Sequence, residues 1–289
     1  MKILITNQQL WPFRGSENWC YAVAKELIRR NHEVSIYSIM PRQGKEVFER
    51  AGIKFVNSGN FDLILENHSI LPKECHGNVI IHTCHGRIYE ERPMKDVINV
   101  AVSDITAERW GLGKVIYNGI DCNRMKPIRT VNQQVTNILS LCSSYEADNV
   151  LKNIAETRGY NFMSTYGKEV MDVERLINWA DLVFGVGRSV LDAMACARPV
   201  ISFDCRSYIH PMHGKGYVTP EMVKNDDTNM TGPDNVWTVE SLIKEMDKYD
   251  PEDGMKNREF ILKYRNIEET VDRYLELYQE AINERQRET

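Results

Sequence analysis

The sequence predicts an α/β protein built from two doubly wound halves, each a mostly parallel sheet flanked by helices. Strand-like apolar runs alternate with helix-period segments along nearly the whole chain. The chain opens as strand, loop, helix, strand, a βαβ unit of the kind that belongs to a parallel sheet. Its 289 residues exceed one minimal core and suit two domains of roughly 100–150 residues each.

Lys2–Thr6 (KILIT) reads as a buried strand. Residues 7–15 form a loop with Pro12 and Gly15, and Ser16 stands as N-cap of the following helix. In that helix Cys20, Val23, Ala24, Leu27 and Ile28 recur at offsets 0, 3, 4, 7 and 8, one face turned to a core. Asn31-His32 ends it, and Glu33–Ile39 is the second strand. Gly44–Ala51 is a short helix, followed by strands at Ile53–Val56, Asp62–Glu66, Val79–Thr83 and Val97–Val102. Ser103 caps a short helix, Lys114–Tyr117 is a further strand, and Asn118-Gly119 is a turn. Residues 119–135, with Pro127 and few apolar positions, read as the linker between the halves.

The second half repeats the plan. Strands at Asn137–Leu141, Asn161–Ser164, Asp181–Phe184 and Pro199–Phe203 alternate with helices at Glu146–Glu156, Val173–Trp179 and Ser189–Ala197. Residues 205–235, rich in Gly, Pro and Asn, read as one long loop. Val239–Lys248 is a helix. The last helix runs from about Glu268 to Glu284, its apolar stripe made by Ile267, Val271, Tyr274, Leu275, Tyr278 and Ile282. Open α/β sheets bind ligands at the carboxyl ends of their strands, so the two halves are expected to share a ligand cleft.

Composition narrows the class. Apolar content of 42% with 27% charged residues marks a globular chain. No apolar run approaches the roughly 20 residues of a membrane span, and MKILITNQQLW lacks the apolar core and cleavage site of a signal peptide. A net charge of −5 argues against a nucleic-acid partner, although it leaves room for a local basic cleft. The seven cysteines (Cys20, Cys75, Cys84, Cys122, Cys142, Cys196, Cys205) are scattered, with no CxxC pair. They fit a reducing compartment, and the expected location is cytoplasmic. His76, His82, Cys84 and His85 have no second ligand pair at zinc spacing, so no metal is expected. His210 and His213 read as solvent-exposed loop histidines. The tryptophans Trp11, Trp19, Trp110, Trp179 and Trp237 read as packing residues, with Trp11 also placed to stack on a substrate.

The most informative stretch is Ala180–Asp204, ADLVFGVGRSVLDAMACARPVISFD. A strand ends at Phe184, Gly185 and Gly187 allow a tight turn, Arg188 follows, and Ser189 opens a helix whose first turn holds Asp192. Two readings stand. One is a plain strand–turn–helix with an N-cap and a favourable acid. In the other, the helix start from Gly187 to Val190 binds a phosphate with help from Arg188, and Asp192 accepts hydrogen bonds from sugar or ribose hydroxyls.

Asp192-Ala193-Met194-Ala195, followed by Arg198-Pro199-Val200, resembles the signature of retaining GT-B glycosyltransferases, glycosyltransferase family 4 above all. There a glutamate followed by Ala-Met-Ala precedes a Gly-Arg/Lys-Pro-Val strand. Other segments resemble the family in the same order. They are Gly15-Ser16-Glu17 before a helix ending near Asn31-His32, Thr83-Cys84-His85-Gly86, Val102-Ser103-Asp104, and Asn118-Gly119-Ile120-Asp121. Two features depart from the pattern. Phe184 stands where the family has a first acid, eight positions before the second. Ser140–Tyr145 (SLCSSY) replaces the family's phosphate-binding Gly-Arg, leaving Lys152 as a loose counterpart of its lysine.

The resemblance implies a GT-B fold of two Rossmann-like domains across a cleft. Residues 1–125 would form the acceptor side and 126–266 the nucleotide-sugar domain, with 267–289 a helix crossing back to the first. It implies transfer of a sugar from a UDP-sugar or GDP-sugar to an acceptor hydroxyl, with retention and with no metal or cofactor. The backbone at Gly15 and Ser16 would approach the donor diphosphate, His85 would line the cleft near the sugar, and Asp192 would meet the ribose. Asn118, Lys152, Gly187, Arg188, Ser189 and Val190 complete the donor site. The acceptor is open among saccharides, small molecules, proteins and a modified nucleic-acid base, with lipid and DNA disfavoured by the acidic balance. Two other readings remain. Gly185-x-Gly187 with Asp204 matches part of a dinucleotide fingerprint, although Val190 fills the third small position, which leaves an NAD(P)-dependent oxidoreductase. The lost acid and missing Gly-Arg leave a nucleotide-binding GT-B protein without catalysis.

Overall fold

A computed structural model divides the chain into two compact units, Met1–Gly119 with Ile267–Thr289, and Ile120–Asn266. The structure describes residues 1–288 apart from 13–14, 87–88, 169, 171, 206–211, 227, 229 and 231–234.

Unit 1 begins with β1 (Lys2–Thr6), α1 (Gly15–Arg29), β2 (Glu33–Tyr37), α2 (Gly44–Arg50) and β3 (Lys54–Phe55). It continues through β4 (Gly59–Asn67), β5 (Cys75–Cys84), β6 (Ile98–Ala101) and α3 (Asp104–Trp110). The six strands lie in the order β3-β2-β1-β4-β5-β6, all parallel. Apolar runs explain the arrangement. Ile3 and Ile5 on β1, Leu63 and Leu65 on β4, and Ile81 on β5 pack with Val23, Ala24 and Leu27 of α1 in one cluster. Each such side chain contributes roughly 1.5–3 kcal/mol on burial. α1 already includes Gly15, so Ser16 lies inside the first turn and is not the N-cap that the sequence predicts. The expected strand at 114–117 is only a bridge, in which Ala101 N–H donates to Lys114 O and Ile116 N–H to Ala101 O. Val115 alone bridges to Ala101, so no ladder forms there.

Unit 2 holds β7 (Asn137–Ser140), α4 (Tyr145–Arg158), β8 (Asn161–Ser164), α5 (Val173–Trp179), β9 (Leu182–Gly185) and α6 (Arg188–Ala195). It continues with β10 (Val200–Asp204), β11 (His213–Tyr217), α7 (Pro220–Lys224), β12 (Asn235–Val236), α8 (Val239–Met246) and α9 (Asp253–Tyr264). The order is β12-β11-β10-β9-β7-β8, with the last four of these parallel and β11 antiparallel to both its neighbours, β10 and β12. Residues 205–235 are therefore not one long loop. Gly214 lets β11 pass so close to β10 that a Cβ on it would sit 2.1 Å from Ser202 O. Sequence periodicity misses β11 because HGKGY has no apolar alternation. His213 is fully buried in that strand, contrary to its reading as a solvent-exposed residue; His210 lies outside the described residues. α9 also escapes the sequence reading, since its apolar positions are sparse.

Two buried charges tie the linker to unit 2. Asp181 accepts from the N–H groups of Asn132, Thr136 and Asn137 at 2.9–3.1 Å and from Arg129 at 2.9 Å. Burial pushes its pKa up, and these donors outweigh burial and hold it below the usual value. Arg198 is fully buried and donates to the carbonyls of Ile177, Asn178 and Arg129 at 3.0–3.2 Å. Burial, then repulsion from Arg129, lowers its pKa to about 10. It thereby satisfies carbonyls left open at the end of α5.

α10 (Ile267–Glu288) belongs to unit 1 and packs on α1 and β5. Ile267, Val271, Tyr274 and Leu277 join the unit 1 core, and Tyr274 Oη meets Thr83 Oγ1 at 3.0 Å. Arg30, just past the end of α1, donates to Glu268 O at 2.9 Å and pairs with Asp272. Among the described residues, no helix is long and apolar enough to cross a membrane. All seven cysteines are buried and free. Tyr274→Ala is expected to cost unit 1 about 3–5 kcal/mol in denaturant unfolding. A loss below about 1 kcal/mol would mean that α10 adds little to that core.

Candidate functional site

Each sheet changes winding direction once, between β1 and β4 in unit 1 and between β7 and β9 in unit 2. Connections leaving these neighbouring strands go to opposite faces, which opens a crevice at the strands' carboxyl ends. Both places gather polar side chains at the edge of an apolar sheet.

In unit 2, β9 reaches α6 through Val186 and Gly187 alone. Gly187 is the N-cap, at φ 61° and ψ −128°, a conformation that side chains with a Cβ resist. Gly185 answers a different need, because a Cβ there would lie 2.8 Å from that of Ser189 and 3.3 Å from that of Leu141. The two glycines bring the α6 N-terminus against the strand end. Gly187 N–H donates to Met230 O at 2.7 Å, and Val190 N–H donates to Gly187 O at 3.1 Å. Those two groups are thus removed from the predicted phosphate donors. Among the described residues, Ser189 N–H has no hydrogen-bond partner.

Arg188 is the first helical residue, and its Nε lies 3.6 Å from Asp192 Oδ2. Because α6 starts at Arg188, Asp192 falls in the second turn and not the first. It is 6% exposed, and its Oδ1 has no hydrogen-bond partner. Burial raises its pKa against the pull of Arg188 and Arg124, while Glu174 pushes in the same direction as burial. Phe184, counted eight positions back, lies inside β9 in the core, edge-on to Phe203 at 6.5 Å. Its side chain is turned into that apolar core.

The serine loop after β7 is organised by two acids. Asp204, at the end of β10, accepts from Ser143 Oγ at 2.8 Å, Ser144 Oγ at 2.9 Å, Cys205 N–H at 2.8 Å and Ser143 N–H at 3.3 Å. A carboxylate has about four acceptor positions, so Asp204 has none left for the ribose diol that the oxidoreductase reading requires. Asp148 accepts from Ser140 Oγ at 2.5 Å and from Ser164, joining α4 to the ends of β7 and β8. Lys152 lies two turns into α4, is 61% exposed, and faces Glu156 at 4.0 Å. Roughly 12 Å of helix separates it from the Ser144 cap, so the structure does not bring it to the strand ends.

In unit 1 the crevice gathers Thr6 of β1 and the Asn7 that follows it with Glu66 and Asn67 of β4. Glu66 and His82 are partners in register, both fully buried, with the carboxylate against Nδ1. Glu66 Oε1 also accepts from Ile70 N–H at 2.6 Å, and His82 Nε2 has no partner. Asn67 donates through Nδ2 to Thr6 O at 2.7 Å, and its Oδ1 lies 2.7 Å from His85 Nε2. Trp19 packs edge-on to the His85 ring at 5.3 Å, and His68 stacks on it at 6.0 Å. Gly15 is exposed and Ser16 half-buried at the start of α1, next to the buried Glu17. Asn118 stands just before the unit boundary, with Oδ1 buried and unpartnered. Trp11 is 8% exposed and serves packing.

Sequence reasoning singles out the α6 turn and His85, both of which lie at strand ends, but not Glu66, Asn67, Asp148 or the partners of Asp204. The available signal is a polar residue closing an apolar strand run, as in DLILEN, VIIHT and NILS.

No protein-family model matches the sequence. No curated protein matches it either. Solved structures do. A glycosyltransferase from Rickettsia africae ESF-5 matches with a TM-score of 0.65 at 15% identity, covering 97% of this chain and 98% of that one. Anabaena HepE in complex with UDP and glucose matches with a TM-score of 0.63 at 14% identity, over 97% of this chain and all of that one. Sucrose-phosphate synthase from Thermosynechococcus elongatus matches with a TM-score of 0.57 at 11% identity, over 98% and 99%. The fold, two six-stranded and mostly parallel sheets with flanking helices, is that of GT-B glycosyltransferases.

Two histidines make unit 1 acid-sensitive. Burial holds the His68 pKa below the usual imidazole value, against the pull of Glu66 and with help from His82. Burial, then the neighbouring His68 and His82, holds His85 well below it. The unfolded chain takes up these protons near pH 6.5 and the folded chain does not, so stability is full above about 6.5 and falls as pH drops through it. Each group removes up to about 1.4 kcal/mol per pH unit. Between pH 7.5 and 5.5, His85→Gln is expected to lose less stability than wild type in thermal or denaturant melts. Equal losses would contradict this.

Proposed function

We propose that the chain is a glycosyltransferase that moves a sugar from a nucleoside-diphosphate sugar to an acceptor hydroxyl with retention of configuration. The observation that carries this reading is the α6 N-terminus at the unit 2 switch point, with its two-glycine turn and Arg188. The GT-B fold supports it, and so does the likeness to HepE, whose structure holds UDP and glucose.

The chemistry follows from charge. As the glycosidic bond breaks, negative charge develops on the leaving diphosphate, and fixed positive groups lower that barrier. Arg188 supplies a guanidinium, Ser189 an N–H, and α6 the positive end of its dipole. Asp192 receives a ribose or sugar hydroxyl through Oδ1. Unit 2 in this reading holds the donor nucleotide, and unit 1 carries the acceptor side. UDP-sugars and GDP-sugars are the donors of choice for a first screen.

The test is a panel of nucleotide sugars incubated with the protein, with and without acceptors, and read by mass spectrometry for free nucleoside diphosphate. Arg188→Ala and Asp192→Ala are each expected to lower turnover or donor affinity by about tenfold or more, consistent with loss of a charge-assisted hydrogen bond, while circular dichroism stays unchanged. Near-native activity in both variants would remove the site assignment.

A further inference from the structure

We propose that Asn67 is a positioning residue that fixes His85 as the tautomer protonated on Nε2 and so holds its Nδ1 lone pair ready to accept a ligand O–H.

The orientation of the amide follows from its partners. Thr6 O can only accept, and Asn67 Nδ2 donates to it at 2.7 Å. The same nitrogen faces Cys20 Sγ at 3.7 Å. Asn67 N–H donates to Thr6 Oγ1 at 3.1 Å, which pins the residue at the end of β4. Oδ1 is therefore the atom turned to His85 Nε2, 2.7 Å away. An amide oxygen only accepts, so Nε2 carries the hydrogen. A neutral imidazole has a single N–H, which leaves Nδ1 with a lone pair. Among the described residues, Nδ1 has no hydrogen-bond partner.

The surroundings keep the ring neutral and still. Trp19 from α1 presses its edge and His68 from the β4 end stacks on its face. Burial, and then the neighbouring His68 and His82, oppose a proton on His85. The nearby acids are engaged elsewhere, Glu66 with His82 and Glu91 at 3.7 Å from His68. A neutral ring offering only a lone pair accepts an O–H and repels an anion. On the transferase reading, on which this clause alone rests, the ligand group is a carbohydrate hydroxyl and not a phosphate.

Long-range 1H–15N correlation on histidine-labelled full-length protein reads the tautomer directly, with no donor or acceptor present. The expected result is a protonated Nε2 and a bare Nδ1 from pH 6 to 8. Asn67→Asp places a carboxylate against Nε2–H and is expected to raise the His85 pKa by about one unit or more. A proton on Nδ1 in wild type, or an unmoved titration in Asn67→Asp, would overturn the proposal even if the variant's melting point falls. Where transfer is measured, the Asn67→Asp rate should climb with pH along the NMR titration, because the doubly protonated ring has lost its acceptor. A rate that ignores the titration would overturn the acceptor role. Absence of any transfer bears on the proposed function and leaves the tautomer test intact.

Discussion

A parallel sheet covered on both faces has no lateral surface for polar chemistry. Its strands run apolar through the core, and polar groups emerge where the strands end. Both units obey this constraint. β1, β4 and β5 carry Ile, Leu and Val until Thr6, Glu66, Asn67 and Thr83. β7, β9 and β10 do the same until Ser140, Gly185 and Asp204. The winding reversal in each sheet then decides which of these strand ends is flanked by a crevice. Everything proposed about function sits at those two places.

The two crevices differ in electrostatics. In unit 2 the serine loop after β7 hands its hydroxyls to Asp204 and Asp148, so the strand ends on that side are acidic. Positive character is concentrated at the start of α6, where Arg188 stands beside a helix N-terminus. The proposed function places the donor's anion there and not at the α4 side of the crevice. In unit 1 the cluster is close to neutral in effect. Glu66 answers His82, and His85 sits in a shell that disfavours its charge. Neutral hydrogen-bonding groups of this kind recognise hydroxyls, whereas the α6 end suits phosphate. On the proposed function, the first would meet a hydroxylic acceptor and the second a sugar nucleotide.

The sequence makes much of this legible, for a physical reason. Long apolar periodicities such as Cys20 to Ile28 and Ile267 to Ile282 report helices whose faces meet a core. Glycine pairs such as Gly185 and Gly187 report a backbone that must pass close to something. The reading fails where structure comes from pairing and not from periodicity. β11 is a glycine-rich strand held by backbone bonds to β10, and α9 packs through Gly254, whose absent Cβ admits Ala197 O. It fails again where a residue's role depends on distant partners. Asp204 looks like a ribose ligand until Ser143 and Ser144, some sixty positions away in sequence, fill it. Lys152 looks like a phosphate ligand until α4 turns it to Glu156. Phe184 looks like a lost acid by counting, yet the strand places it in the core.

Hydrogen–deuterium exchange with and without UDP and GDP tests the central claim most directly. The account predicts slowed exchange on nucleotide binding at the amides around Ser189 and along the first turns of α6. Protection confined to the β7–α4 serine loop, or to unit 1, would contradict it.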